Sequence, residues 1–179
     1  IGAGKTRPAV FSLDGIIAGL TMNVGGNNMD VHIIDHIAET YNLKIGSQTS
    51  EKLKNAVGSL IPNDYQSTIV NGRDVTTGKP RSVAVSSADI LFPIRIYADK
   101  IAEYAELVLR KLPAEVSAAM VKNGVFLAGG VCNIAGFADY MADKLQMEAH
   151  VAGDPQMAVV LGGGRAIGNS SILARIEME

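Results

Sequence analysis

The sequence predicts an α/β fold: a β-hairpin headed by a glycine-rich loop, then amphipathic helices alternating with short strands, with a small α/β insertion at residues 43–85. Three observations carry this. Ile1-Gly2-Ala3-Gly4-Lys5-Thr6 is phosphate-loop material, but a Walker A loop needs a Gly four residues before Gly4-Lys5-Thr6 and a helix directly after it. The continuation from Arg7 to Leu20 reads instead as two β-branched and apolar runs joined by an Asp14-Gly15 turn. Beyond them, 3.6-residue periodicity alternates with short runs of strand pattern. The loop therefore sits between two strands, where close-set backbone N–H groups are able to hold a phosphate.

In order along the chain, Gly25-Gly26-Asn27-Asn28 forms a turn and N-cap for a helix over about 29–41, with Ile33, Ile34, Ile37 and Tyr41 on one face. Residues 42–46 break it, and a second helix follows over about 49–59, with Leu53, Ala56, Val57 and Leu60 apolar. Residues 66–70 and 81–85 alternate like strands around a loop at 71–80. Ser86, with Asp89 three residues on, opens the strongest helix, whose stripe runs from Ile90 to Leu112 and stops at Pro113. Pro93 sits early in that helix and predicts a bend near Phe92. A short helix (114–122) leads to a buried strand (125–128), ended by Gly129-Gly130, and to a helix over about 134–145. A last strand at His150-Val151 precedes a helix beginning at Pro155 and interrupted by Gly162-Gly163-Gly164.

Composition narrows the function classes. A net charge of −2 without a basic run offers no footprint for nucleic acid. The single Cys132 excludes an internal disulfide and fits a reducing compartment, so the expected location is cytoplasmic. No apolar stretch approaches the ~20 residues that span a bilayer. The chain starts without Met and in mid-strand, which reads as part of a longer protein. His32 and His36 imitate a zinc helix, but on the wheel both oppose the isoleucine stripe and read as a polar, solvent-facing surface, so no metal site is assigned.

Five segments in order carry a resemblance. They are the 1–6 loop; Gly25-Gly26-Asn27-Asn28-Met29-Asp30; Ser50-Glu51-Lys52-Leu53-Lys54; the 71–81 loop; and Leu127-Ala128-Gly129-Gly130 with Asp154-Pro155 and Gly162-Gly163-Gly164. Together they resemble, over essentially all 179 residues, the second half of the MreB family of bacterial actin homologues, rod-shape-determining members of the actin/Hsp70 ATPase superfamily. The resemblance implies the second lobe of an actin-like ATPase: an RNase H-like subdomain (1–42 and 86–179) interrupted by a small α/β subdomain (43–85). It implies ATP or ADP with Mg²⁺ in a cleft of which this chain forms one wall. It also implies self-assembly into a filament, cell-wall synthesis machinery as a partner, and a place at the inner face of the membrane.

Residue by residue, Gly2, Ala3, Gly4, Lys5 and Thr6 match the family's second phosphate hairpin, with Lys5 in place of a Thr and Arg7 in place of an acidic residue. Lys5 either adds a cation at the phosphates or faces solvent. Glu51 and Lys54, one helical turn apart, match the family's ribose and adenine contacts; spacing alone equally describes an exposed ion pair. Gly129, Gly130, Val131 and Cys132 match the adenosine motif, with Val131 where a third Gly is common, and a Cβ at the glycines would meet the base. Gly25, Gly26 and Asp30 are expected to support the loop. The family's other lobe supplies the catalytic carboxylate, so no catalytic residue is assigned and this half alone is expected to be inactive. The alternatives are a degenerate actin-like scaffold that does not hydrolyse ATP, and a chaperone or sugar kinase of the same superfamily.

Overall fold

The computed structural model describes residues 1–12 and 15–169. Strands β1 (Ala9–Ser12) and β2 (Gly15–Gly19) form the expected antiparallel hairpin, with a register shift between Val10 and Phe11. Asp14 of the predicted turn lies outside the described residues; Gly15 takes φ 119°, a left-handed value that glycine adopts freely. Below the hairpin the two chains stay together through a bridge between Thr6 and Met22.

Helix α1 (Gly26–Tyr41) starts three residues earlier than the periodicity indicated. Asn28 accounts for this, because its side-chain oxygen accepts from the Gly25 N–H at 2.9 Å and so caps from within the first turn. Met29, Ile33 and Ile37 are its fully buried face, and Asn42 ends it in the left-handed conformation. The inserted segment has a sheet of its own, in the order β3-β4-β5. Its members are β3 (Leu43–Lys44), β4 (Ser67–Asp74) and β5 (Pro80–Ser86), with α2 (Ser47–Val57) against β4. The expected 71–80 loop is a correction. Residues 71–74 and Pro80 belong to the ladder, with Gly72 opposite Arg81, and only 75–79 turn. Gly72 looked like a loop residue but marks a close approach: a Cβ there would stand 2.6 Å from the Lys44 carbonyl oxygen.

Helix α3 (Ser87–Leu109) runs uninterrupted through Pro93 and stops short of the predicted end. Ser86 caps it as expected, its N–H donating to Asp89 Oδ2 at 2.7 Å. Helix α4 (Ala114–Asn123) buries no residue. Strand β6 (Val125–Leu127) pairs in parallel with β7 (Ala149–Val151). It is less buried than predicted, since Phe126 is 79% exposed. A short 3-10 turn (Gly130–Asn133) separates β6 from α5 (Phe137–Leu145), which begins later than expected because Gly136 takes φ 72°. Helix α6 (Ala158–Ile167) starts after Pro155 and passes unbroken through the three glycines, a second correction.

One core joins these parts: Met29, Ile33 and Ile37 of α1, Ile90, Ile94 and Ile101 of α3, and Phe137 and Met141 of α5 pack with Leu53, Val57 and Val85. Among the described residues β1 pairs only with β2, and β6 only with β7. Both line a groove of about 1190 Å³ whose apolar part includes Val10, Phe11, Val108, Phe126 and Leu145.

Candidate functional site

The polar end of that groove gathers residues that are distant in sequence: Gly2, Ala3, Lys5 and Thr6 of the first loop, Gly26 and Asn27 of α1, Glu51 and Lys54 of α2, and Gly129, Gly130 and Val131 after β6. Of the other predicted residues, Gly4, Gly25, Asp30 and Cys132 are not on its lining.

Hydrogen bonds fix how the loop faces the cleft. Gly2 N–H donates across the loop to the Lys5 carbonyl at 2.9 Å, and Thr6 N–H donates to Met22 at 3.0 Å. The Thr6 hydroxyl donates to the Val24 carbonyl at 2.8 Å, and the residue is buried. The first two N–H groups of α1 donate to loop carbonyls, Gly26 to Gly2 at 3.0 Å and Asn27 to Ala3 at 2.7 Å. In a trans peptide the N–H points opposite to the carbonyl of the same unit. With the Gly2 and Ala3 carbonyls turned to α1, the N–H groups of Ala3 and Gly4 point away from it. Those two and the Lys5 N–H find no acceptor among the described residues, which leaves three consecutive main-chain donors for an anion. Gly25 allows the tight seat, since a Cβ would lie 2.4 Å from the Gly2 oxygen.

Lys54 and Asp30 form a buried pair. Lys54 Nζ donates to Asp30 Oδ2 at 2.8 Å and to the Gly26 carbonyl at 3.1 Å, and both residues are 7% exposed. Burial pushes the Asp30 carboxyl above the usual carboxylate range, more than its hydrogen bond and ion pair with Lys54 pull it down. Its second oxygen, Oδ1, is buried without a partner. The Ser50 hydroxyl also donates to the Asp30 carbonyl, at 2.8 Å. Glu51, one turn before Lys54, is exposed on the cleft.

Around β6 the Ile1 nitrogen donates to the Ala128 carbonyl, and Gly129 N–H donates to Pro155 at 2.6 Å. Gly129 takes φ 101°, and a Cβ on it would lie 2.1 Å from the Ile1 carbonyl oxygen. Glycine is required there by the chain itself. At Gly130 a Cβ would meet the Gln156 side chain at 3.3 Å. Cys132 is buried behind this turn, and burial pushes its thiol up. The sequence reading missed Asn55, Asn133 and Gln156, which with Lys54, Gly130 and Ile134 enclose a side pocket of about 250 Å³. Asn55 follows Glu51 at i+4 and was legible on the helical wheel. Gln156 carried no signal.

The two histidines are less solvent-facing than predicted. Both are half-buried; the His32 ring packs edge-on against Phe92 and Tyr97, and His36 Nε2 lies 3.4 Å from the Thr40 hydroxyl. Among the described residues no three His, Cys, Asp or Glu side chains come together as a metal site, and no helix is long and apolar enough to cross a membrane.

The MreB/Mbl protein family matches residues 1–175. The chain is 33% identical over 170 residues to the cell shape-determining protein Mbl of Bacillus cereus, covering 94% of this chain and 51% of that one. It is 30% identical to the cell shape-determining protein MreB of Escherichia coli, covering 93% and 48%. It thus spans about half the length of these curated relatives. The crystal structure of MreB5 of Spiroplasma citri bound to AMPPNP superposes with a TM-score of 0.91 at 29% identity, over 99% of this chain and 53% of that one. A MamK double helical filament, at 24% identity and a TM-score of 0.72, shares the fold over 87% of this chain and 49% of that one. The α/β architecture is that of actin-like ATPases, and the chain belongs to the MreB/Mbl family.

Proposed function

We propose that this chain forms one wall of an ATP- or ADP-binding cleft in an actin-like cytoskeletal protein that polymerises and determines cell shape by organising cell-wall synthesis. The observation that carries the nucleotide reading is the cradle of unpaired N–H groups at Ala3, Gly4 and Lys5, held in place by the N-terminus of α1. A polyphosphate suits it, because each donor is main-chain and the glycines and Ala3 keep side-chain bulk away. Glu51, Gly129, Gly130 and Val131 line the same groove, so Glu51 would accept from ribose hydroxyls and the turn at Gly129–Val131 would offer the adenine a surface. Mg²⁺ would enter chiefly on phosphate oxygens and water, since Lys5 and Arg7 rather than carboxylates flank the cradle. It would supply charge neutralisation at the phosphates.

The same reading supports self-assembly and a place at the inner face of the membrane. The curated relatives are named for cell shape, and a neighbour of the same fold forms a filament. Lys5, exposed on the cleft, favours a second version in which nucleotide is bound but not hydrolysed, because a fixed cation there would hold product phosphate as well as substrate. Sedimentation with ATP and Mg²⁺, run with phosphate release on the intact protein and its Lys5→Thr variant, tests both. ATP-dependent pelleting with phosphate release supports the ATPase. Pelleting with bound but unhydrolysed nucleotide supports the scaffold. Loss of both pelleting and binding overturns the proposal.

A further inference from the structure

We propose that Lys54 and Asp30 are positioning residues, a buried clasp by which α2 fixes the first turn of α1 and so sets where the phosphate hairpin sits. This rests on the nucleotide reading above and deepens it, because it moves Lys54 from ligand contact to support. The geometry runs in one short chain. Lys54 Nζ holds the Gly26 carbonyl and Asp30 Oδ2, and the Gly26 N–H in turn holds the Gly2 carbonyl. Ser50, one turn earlier on α2, grips the Asp30 carbonyl. Two side chains of α2 thus touch the first turn of α1 at three oxygens, and one of the residues they touch, Gly26, also carries the loop. The fit at Gly26 is close, since a Cβ there would stand 3.1 Å from Lys54 Nζ and 3.7 Å from Ala3 Cα.

The ion pair is poorly explained as a stabilising device. Taking two charges out of water costs more than an imperfect pairing returns, and Asp30 Oδ1 is left with no partner at all. An apolar pair of similar volume would serve packing as well. What such a pair could not do is hold the Gly26 carbonyl at a fixed point. Lys54 therefore has most of its donor capacity spent before a nucleotide arrives, whereas Glu51 on the same face remains open to the cleft.

The test uses the intact protein with Asp30→Asn, Lys54→Met and the double variant Asp30→Leu/Lys54→Met. Two readouts are taken: affinity for a fluorescent ADP analogue with Mg²⁺, and amide hydrogen exchange at Gly26 and Asn27 without nucleotide. The clasp predicts that each single change weakens binding by about tenfold or more, since a displaced support costs as much as a lost contact. It predicts exchange at Gly26 and Asn27 faster by about tenfold, from local opening. The double variant should recover melting temperature while regaining neither affinity nor exchange protection. Where a single variant fails to fold, the double variant decides. Unchanged affinity in Asp30→Asn beside a loss in Lys54→Met would make Lys54 a direct ligand and overturn the proposal, as would recovered affinity in the double variant. Should the intact parent protein not bind the analogue, the nucleotide reading fails. The exchange rates then decide the clasp on their own: unchanged protection of Gly26 and Asn27 in the variants overturns it.

Discussion

Glycine carries most of the chemistry at the scale of single residues, for reasons only partly visible in sequence. The cluster Gly2-Ala3-Gly4 announced backbone donors. That Gly25 must also be glycine, because the loop carbonyls of Gly2 and Ala3 lie within 2.6 Å of its absent Cβ, needed the fold to be seen. Gly25→Ala should therefore push the hairpin off α1, costing about 1–3 kcal/mol as an overpacking change. Urea denaturation would read that loss, and the nucleotide titration should fall with it. Gly129→Ala combines a left-handed backbone, worth about 1–3 kcal/mol of strain, with overlap on the Ile1 carbonyl. It should lower the melting temperature more than Gly130→Ala, whose new methyl meets the Gln156 side chain at 3.3 Å and no backbone within 4 Å among its three nearest atoms. Lys54 shows the limit of spacing arguments. Glu51 and Lys54 lie on one helical face, yet one is open to the cleft and the other is buried against Asp30, a long-range partner that no local pattern reveals.

Among the elements, the helices were the legible part, since α1, α2 and α3 bury Ile33 and Ile37, Leu53 and Val57, and Ile90, Ile94 and Ile101 of their predicted stripes, while Ala56 and Tyr104 are exposed. Strands were read less well where polar residues lie in the ladder, as at Asn71, Arg73 and Asp74 of β4. Asp74 is the element's anchor. It accepts from the Thr76 and Thr77 amides and the Thr77 hydroxyl through Oδ1, and from Arg81 at 2.7 Å through Oδ2. The Thr77 amide and hydroxyl, then Arg81, hold its carboxyl below the usual range. Burial pushes Asp89 up, but the Ser86 hydroxyl and amide outweigh it and leave the group lowered; Asp99 is likewise held down, against burial, by Lys144 and Tyr140. Each of these groups releases its proton more readily in the folded chain. Their stabilisation is therefore complete above the unfolded value of about 3.9 and is lost as pH falls through the lower folded values. Asp30, raised by burial, contributes with the opposite sign, and its share is lost as pH rises through its folded value. Urea midpoints followed downward from pH 5 should drop, and Asp89→Asn should flatten that drop while costing about 1 kcal/mol at neutral pH, because the amide oxygen replaces a charged acceptor in the capping box.

Considered as a whole molecule, the described residues share one continuous core but form three separate small sheets, and strands β1 and β6 of two of them border the same apolar groove. Unpaired strand edges over apolar residues are a template for further pairing. The 179-residue chain should accordingly enhance the fluorescence of an apolar dye such as ANS while showing a cooperative melt, and Phe126→Lys, at an exposed position of β6, should reduce dye binding with little change in stability. Composition did not foretell the groove, because it arises where elements far apart in sequence stop short of one another. The central claim is that the loop at Ala3, Gly4 and Lys5 is the phosphate end of a nucleotide cleft. The most direct measurement is the amide spectrum of the ¹⁵N-labelled chain titrated with ADP and Mg²⁺. The amides of Ala3, Gly4 and Lys5 should move furthest, with Glu51 and Gly130 shifting less but at the same affinity. Saturable binding that leaves those three amides where they were would contradict the account.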